Sequence, residues 1–196
     1  LAEANVSWND IPGRAAYTWI YDEFLETAPP NARVVEVGVA LGKSLAYLAR
    51  KCIEANRPDI RIYAVDAWAG VARNGEQQAL AKPDEDYELF LRMMQENAPE
   101  ELARVTAVIR KYSVEAARGF EDASLDLVVL DADHTYEAVR FDLAAWVPKI
   151  KRGGAIGGDD WEAAYPGVFR AVAERWPAAE IEIRNQDDWG TWRVQL

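Results

Sequence analysis

Cysteine and histidine are almost missing from this chain: one of each, Cys52 and His134, in 196 residues. A single cysteine excludes an intramolecular disulfide framework and fits a reducing compartment. Cys52 falls on the apolar stripe of a helical segment, which reads as a buried, inert thiol rather than a nucleophile. Basic residues are also short, 22 against 33 acidic, leaving a formal charge of −11. With no basic run in view, that balance argues against a nucleic-acid or anionic-membrane partner. No segment approaches the length of a membrane span, and no charged-then-apolar leader opens the chain, which begins at Leu1 rather than Met. The expected location is cytoplasmic. Repeats, low-complexity tracts and linker-like breaks are absent as well. The expectation is one domain over residues 1–196, a helical cover at 1–30 and a core at 31–196, large enough to bury ~70% of its unfolded surface.

What is present is an alternation of strand and helix. Pro12–Thr27 reads as a helix with Ala16, Ile20 and Phe24 on one face, stopped by Pro29-Pro30. Strands follow at Arg33–Val37, Arg61–Val65, Val105–Ile109, Leu125–Leu130 and Ala155–Gly157. Helices are expected at Ser44–Ala55, Asp84–Asn97, Val114–Phe120, Thr135–Ile150 and Gly167–Trp176. The fourth of these, Thr135–Ile150, has a basic last turn (Lys149, Lys151, Arg152) and Gly153 as its stop. This order specifies an α/β, Rossmann-like doubly wound sheet, mostly parallel. Glu180–Ile183 and Thr191–Val194 alternate polar and apolar around Asn185, Asp187, Asp188 and Gly190, which predicts a closing antiparallel hairpin. A nicotinamide-binding domain would continue with a parallel strand there.

The chemistry gathers after the strands. Leu130-Asp131-Ala132-Asp133-His134 and Gly158-Asp159-Asp160-Trp161 each put carboxylates directly behind a strand. If those strands are neighbours, Asp131, Asp159 and Asp160 converge at the carboxyl edge, where open α/β sheets bind ligands. Packed carboxylates raise each other's pKa and need a cation, a proton or solvent. The other end of the site is Glu36-Val37-Gly38-Val39-Ala40-Leu41-Gly42-Lys43-Ser44, a strand running into a glycine turn and a helix. Gly38 permits close backbone approach, and Gly42 with Ser44 opens a helix whose free N–H groups attract a polar ligand. Ala40 stands where a dinucleotide fingerprint has its second glycine. Asp66, at the end of the second strand, can accept a ribose's hydroxyls or cap a turn. Trp68 can flank an adenine ring or fill the core, and Ser113 can bond an adenine edge.

In this order the motifs resemble those of class I S-adenosylmethionine-dependent methyltransferases: Glu-x-Gly-x-x-x-Gly-x-Ser, an acid ending strand two, Asp-Ala-Asp-His-x-Tyr-Glu, then Gly-Gly-x-x-Gly-Asp-Asp-Trp. The nearer likeness is to metal-dependent small-molecule O-methyltransferases, including those acting on antibiotic sugars. The resemblance runs from Arg33 to Trp161, and more loosely through the hairpin. It implies that Asp131, Asp159 and Asp160 hold a metal, that Glu36 and Gly38 hold the cofactor's methionine part, and that Asp66 binds its ribose. Asp131 borders both groups. It also implies that His134 is the general base. Catechol-type relatives carry lysine at that position and Asp-Asn in place of Asp159-Asp160, so both departures lean toward the sugar-modifying branch.

The chemistry expected is transfer of a sulfonium methyl to a hydroxyl of a small acceptor with two adjacent oxygens. A hard cation on carboxylate oxygens, Mg²⁺ rather than Zn²⁺, lowers the barrier to deprotonation. His134, with an ordinary pKa of about 6.5, can take the proton. Asp133 either caps the following helix or serves as a second base, and Trp161 either stacks on a sugar or packs. The segment Ala67–Pro83 is expected to be a lid or substrate loop. The aromatic amino-terminal helix (Tyr17, Trp19, Tyr21) is expected to cover the site or to form a surface for a homo-oligomer. Competing readings are a glycosyltransferase using Asp131-Ala132-Asp133, and a cofactor-binding domain without catalysis.

Overall fold

A computed structural model of the chain describes residues 7–69, 83–186 and 189–196. Seven strands form one sheet: β1 (Arg33–Val37), β2 (Arg61–Asp66), β3 (Val105–Arg110), β4 (Leu125–Leu130), β5 (Ile150–Gly158), β6 (Ile181–Gln186) and β7 (Trp189–Gln195). Their order is β3-β2-β1-β4-β5-β7-β6. β1 to β5 run parallel, while β7 is antiparallel to both β5 and β6. The parallel centre follows from composition: β4 is buried at every residue and β1 at four of five, as strands covered on both faces must be.

Helices cover both faces. On one side lie α1 (Thr18–Thr27), α2 (Lys43–Glu54) and α3 (Pro83–Asn97), with a core of Ile20, Leu45, Leu48, Cys52, Phe90 and Met94. On the other lie α5 (Ser113–Ala117), α6 (Tyr136–Trp146) and α7 (Pro166–Ala173), packed through Phe120, Val139, Leu143, Trp146 and Val172. A short helix that the sequence pattern does not announce, α4 (Pro99–Arg104), joins α3 to β3. Burial pushes the Cys52 thiol up to about 11, in keeping with an inert side chain. Among the described residues, no helix is long and apolar enough to cross a membrane.

Several expected boundaries move. The amino-terminal helix starts at Thr18 rather than Pro12, after a single 3-10 turn at Trp8–Asp10. The helix expected over Thr135–Ile150 ends at Trp146, and β5 already begins at Ile150. Gly153 is therefore no helix stop. It sits inside β5 at φ +83°, where the pairing with β4 shifts register, and its N–H donates to Leu196 O. The basic residues there are not a helix terminus either: Lys149 pairs with Asp122 and Lys151 with Asp126. The hairpin is present but longer, with Asn185 opposite Gly190 inside the ladder rather than in the turn. Most of the expected lid, and Asp187 and Asp188, fall outside the described residues.

The aromatic residues near α1, Tyr17, Trp19 and Tyr21, are buried in the core. Trp19 donates its indole N–H to Thr191 Oγ1 at 2.6 Å. Tyr17 and Tyr21 donate their hydroxyls to the two oxygens of Glu36, at 3.3 and 2.7 Å, and Ser44 adds a third bond at 2.5 Å. Glu36 is wholly buried. Burial raises its pKa to about 7, with the three hydroxyls pulling the other way.

A carboxyl raised in the fold binds protons that the unfolded chain has released, so the stability it contributes is fully present below the unfolded value and lost as pH rises through 7. For Glu36 the span from 4.5 to about 7 is worth on the order of 3 kcal/mol. The cation-free protein should therefore melt at a higher temperature at pH 5 than at pH 8, and Glu36→Gln should flatten that slope. Melting curves from pH 4.5 to 8 on both proteins measure it. Equal slopes would mean that the Glu36 carboxyl does not titrate in this range.

Candidate active site

The fold changes direction between β1 and β4, the point where an open parallel sheet leaves a crevice at its carboxyl edge. The turns leaving those two strands touch. Gly38, at φ +90°, donates its N–H to Val65 O, and Asp131 donates its N–H to Val37 O at 2.7 Å. A Cβ built on Gly38 would lie 2.0 Å from the Asp131 carbonyl oxygen, so no other residue fits without moving one of the strands. Beyond it, Ala40 holds φ +49° and Gly42 opens α2. Asp66 fastens this turn from the side: Oδ2 accepts from Val39 N and Ala40 N, both at 2.9 Å, and Oδ1 accepts from Trp68 N at 2.7 Å.

The β4–β5 pairing sets Leu130 against Gly158, which brings the residues that follow to one level. His134 Nε2 lies 2.9 Å from Asp160 Oδ2 and 3.3 Å from Asp131 Oδ1. Burial pulls the imidazole pKa down, but bonds to these two carboxylates outweigh it and raise His134 to about 10. Burial raises Asp131, against the pull of His134. Burial, then the charges of Asp131 and Asp160, raise Asp159 to about 7. Asp159 is 5% exposed, and its Oδ1 is buried with no hydrogen-bond partner among the described residues. Asp160 adopts φ +61°, a left-handed conformation costing a non-glycine residue ~1–2 kcal/mol. Ligand atoms of Asp131, His134 and Asp160 lie within 4.8 Å of one another.

Two cavities flank the Gly38–Asp131 contact. The larger, about 680 Å³, runs from Ser44 and the acids out to Arg14, Lys43, Tyr165 and Trp189. The smaller, about 360 Å³, is bordered by Asp66, Tyr112, Ser113, Asp133, Phe141 and Asp142. Gly38, Ala40, Asp131 and Ala132 belong to both.

The candidate residues are thus divided. Asp131, His134 and Asp160 meet, while Asp159 lies outside that group of ligand atoms, near enough for the charges of the other two acids to raise it. Glu36 and Ser44 bond each other beneath the glycine turn. Ser113 borders the smaller cavity, its Oγ accepting the Trp146 indole N–H at 2.9 Å. Asp133 is turned away from the acids: it borders the smaller cavity, and its Oδ1 accepts from Thr135 N, while Thr135 caps α6. Trp68 needs correction. It is 4% exposed, packs on Tyr87 and Phe90, donates to Ala40 O and borders neither cavity, so it belongs to the core and not beside an adenine. Trp161 packs edge-on against Phe169. Sequence reasoning missed Tyr112 and Phe141, exposed aromatics at the smaller cavity. Large apolar side chains on otherwise polar positions were their one available signal. It missed Arg14 and Trp189 altogether, because residues 175 positions apart meet only through the sheet.

A family model described as a methyltransferase domain matches residues 35–161, which hold the glycine turn, Asp66 and all three acids. A protein of Sinorhizobium fredii (strain NBRC 101917 / NGR234) known as uncharacterized protein y4gI is 28% identical over 135 residues. That stretch is 69% of this chain but 14% of the relative, so the chain spans a small part of the protein it matches. Among solved structures, the calicheamicin methyltransferase CalS11 superposes with a TM-score of 0.61 at 17% identity, covering 90% of this chain and 76% of that one. An O-methyltransferase, so named as a candidate, from Klebsiella pneumoniae gives 0.62 at 14% identity, covering 95% and 82%. At such identities these two likenesses speak for the fold.

Two substitutions in the glycine turn should move stability in opposite directions. Gly38→Ala should cost at least ~2 kcal/mol, since it adds both a backbone clash and a strained φ. Ala40→Gly should gain about 1 kcal/mol by releasing a left-handed alanine. Urea denaturation of the two variants gives the signs, and a neutral Gly38→Ala would refute the contact.

Proposed function

The chain belongs to the methyltransferase-domain family, whose model it matches over residues 35–161, and from that premise we propose that it is an S-adenosylmethionine-dependent O-methyltransferase acting on a small molecule with two adjacent oxygens, assisted by a hard divalent cation such as Mg²⁺. The observation that carries this reading is the meeting of Asp131 and Asp160 at one imidazole, with the buried Asp159 close enough to feel both their charges, beside the Gly38 turn.

The acids fit a cation by their own chemistry. Asp131 and Asp160 share one imidazole, and the cation nearest Asp159 among the described residues, Arg14, stands 3.9 Å from it. The unpartnered Asp159 Oδ1 is a buried acceptor that wants a donor or an ion. Donors that are mostly carboxylate oxygen favour Mg²⁺ over Zn²⁺. Asp131, Asp159 and Asp160 would hold the ion, which supplies Lewis acidity toward the acceptor's oxygens.

The chain's own groups supply the rest. Gly38 lets the β1 and β4 turns touch at the border of both cavities, and Glu36 fixes the turn from beneath through Ser44 and Tyr17. Asp66 keeps about one lone pair, on Oδ1, beyond its three backbone bonds, enough to accept one ribose hydroxyl. The smaller cavity, with Tyr112, Phe141 and Ser113 at its border, suits a flat heteroaromatic ring. The larger has the volume of an ordinary small-molecule site. With its pKa raised to about 10 by Asp131 and Asp160, His134 already carries its proton at neutral pH. With a cation held by those carboxylates, the field that raises the imidazole would weaken and its pKa would fall, which would let His134 take a hydroxyl proton. Holding that hydroxyl in line with the sulfonium methyl contributes further acceleration. Family membership and the position of Asp133 both weigh against the glycosyltransferase reading.

Asp159→Asn combined with Asp160→Asn should remove both cation-induced thermal stabilisation and methyl transfer, assayed on a panel of polyols and catechols. Full activity of the unmodified protein in EDTA would exclude a cation role. His134→Ala should lower kcat by about 10²–10⁴-fold while S-adenosylhomocysteine affinity stays within a few-fold. An unchanged kcat would assign the proton to another group.

A further inference from the structure

Arg14 stands at the larger cavity with its hydrogen-bonding capacity unused among the described residues. Its guanidinium carbon lies 3.5 Å from the centroid of the Trp189 ring, its nearest carboxylate oxygen is Asp159 Oδ2 at 3.9 Å, and the side chain is 47% exposed. Among the described residues it makes no hydrogen bond. A guanidinium recruited to neutralise Asp159 would close to 2.7–2.9 Å. This one lies over an aromatic face instead, and a guanidinium so placed keeps its N–H donors for another partner. On another side of the same cavity is Lys43, whose Nζ donates to Asn9 O at 3.0 Å and keeps further N–H groups. Two cations thus line the cavity beyond the acids, in a chain whose formal charge is −11.

The two rings bordering this cavity narrow the choice of ligand. A neutral sugar is commonly gripped by an open aromatic face, but the Trp189 face is already covered by Arg14, and the Tyr165 ring is packed edge-on with His134. What the cavity offers beyond the acids is a planar, pre-oriented cation, and that matches two oxygens of a carboxylate or phosphate. We propose that the acceptor is anionic. Its diol lies on the acid cluster, and a carboxylate or phosphate a few bonds away is held by the Arg14 fork. Resting on the methyltransferase reading above, this names its substrate class. Without the Arg14 guanidinium, a protein of this negative charge would repel an anionic acceptor from the acids.

The test is calorimetric titration of the protein loaded with Mg²⁺ and S-adenosylhomocysteine, using glucose, glucuronate and glucose 1-phosphate as probes. At least one anionic probe should bind about tenfold more tightly than glucose. Glucuronate as the better ligand identifies a carboxylate, and glucose 1-phosphate a phosphate. Arg14→Gln should erase the preference and Arg14→Lys should restore part of it, with S-adenosylhomocysteine affinity unchanged in both. The proposal is overturned if glucose binds as well as the anions, if no anion binds, or if the preference survives in Arg14→Gln. Failure of S-adenosylhomocysteine itself to bind the unmodified protein would instead remove the methyltransferase reading, and this proposal with it.

Discussion

Negative charge crowded at the carboxyl ends of β4 and β5 is the constraint around which the rest of the site is arranged. Asp131, Asp159 and Asp160 are brought together by strand pairing, not by attraction, and burial sharpens their mutual repulsion. His134 is drawn between two of them, Asp160 accepts a left-handed backbone, and Arg14 is stationed just outside contact. None of these features stabilises the chain by itself. A buried, under-compensated cluster of acids and a strained residue are costs that a fold retains where a ligand completes the site.

The opposing half of the site is fully satisfied. Glu36 has three hydroxyl donors, Asp66 has three backbone donors, and Gly38 fills a contact that admits no side chain. That contrast fits a division of labour: a rigid turn to receive a cofactor, and an incomplete charge cluster to receive a cation and an acceptor. The amino-terminal segment links them. Tyr17 and Tyr21 reach Glu36 under the turn, while Arg14, three residues before Tyr17, reaches Trp189 over the acids. The segment therefore acts through the core on one side and through the cavity wall on the other.

Legibility varied with the range of the interaction. The strands of the parallel centre could be read because burial on both faces leaves long apolar runs, as in Leu125–Leu130. The glycine turn and the three acids were legible because each sits directly behind such a strand. Gly153 was misread since a glycine after a basic run is as natural at a helix end as in a strand bulge, and only the β4 register tells them apart. Trp68 left its two readings open in sequence, and the packing of Tyr87 and Phe90 from α3 decided for the core. The amino-terminal helix was drawn too long because the apolar spacing continues upstream of Thr18, where Tyr17 turns instead toward Glu36.

By itself the sequence determined the alternation of strand and helix, the closing hairpin and the identity of the acidic cluster. Those depend on residue type and on spacing along one segment, where periodicity and strand ends act locally. Tertiary structure alone decided which groups remain unsatisfied: that His134 bridges Asp131 and Asp160, that Asp133 faces the other cavity, and that Arg14 stacks on Trp189 without a hydrogen bond. Partners so distant in the chain leave no periodic trace. Charge balance in a buried site is a property of what surrounds a residue, and that is set only when the sheet is assembled.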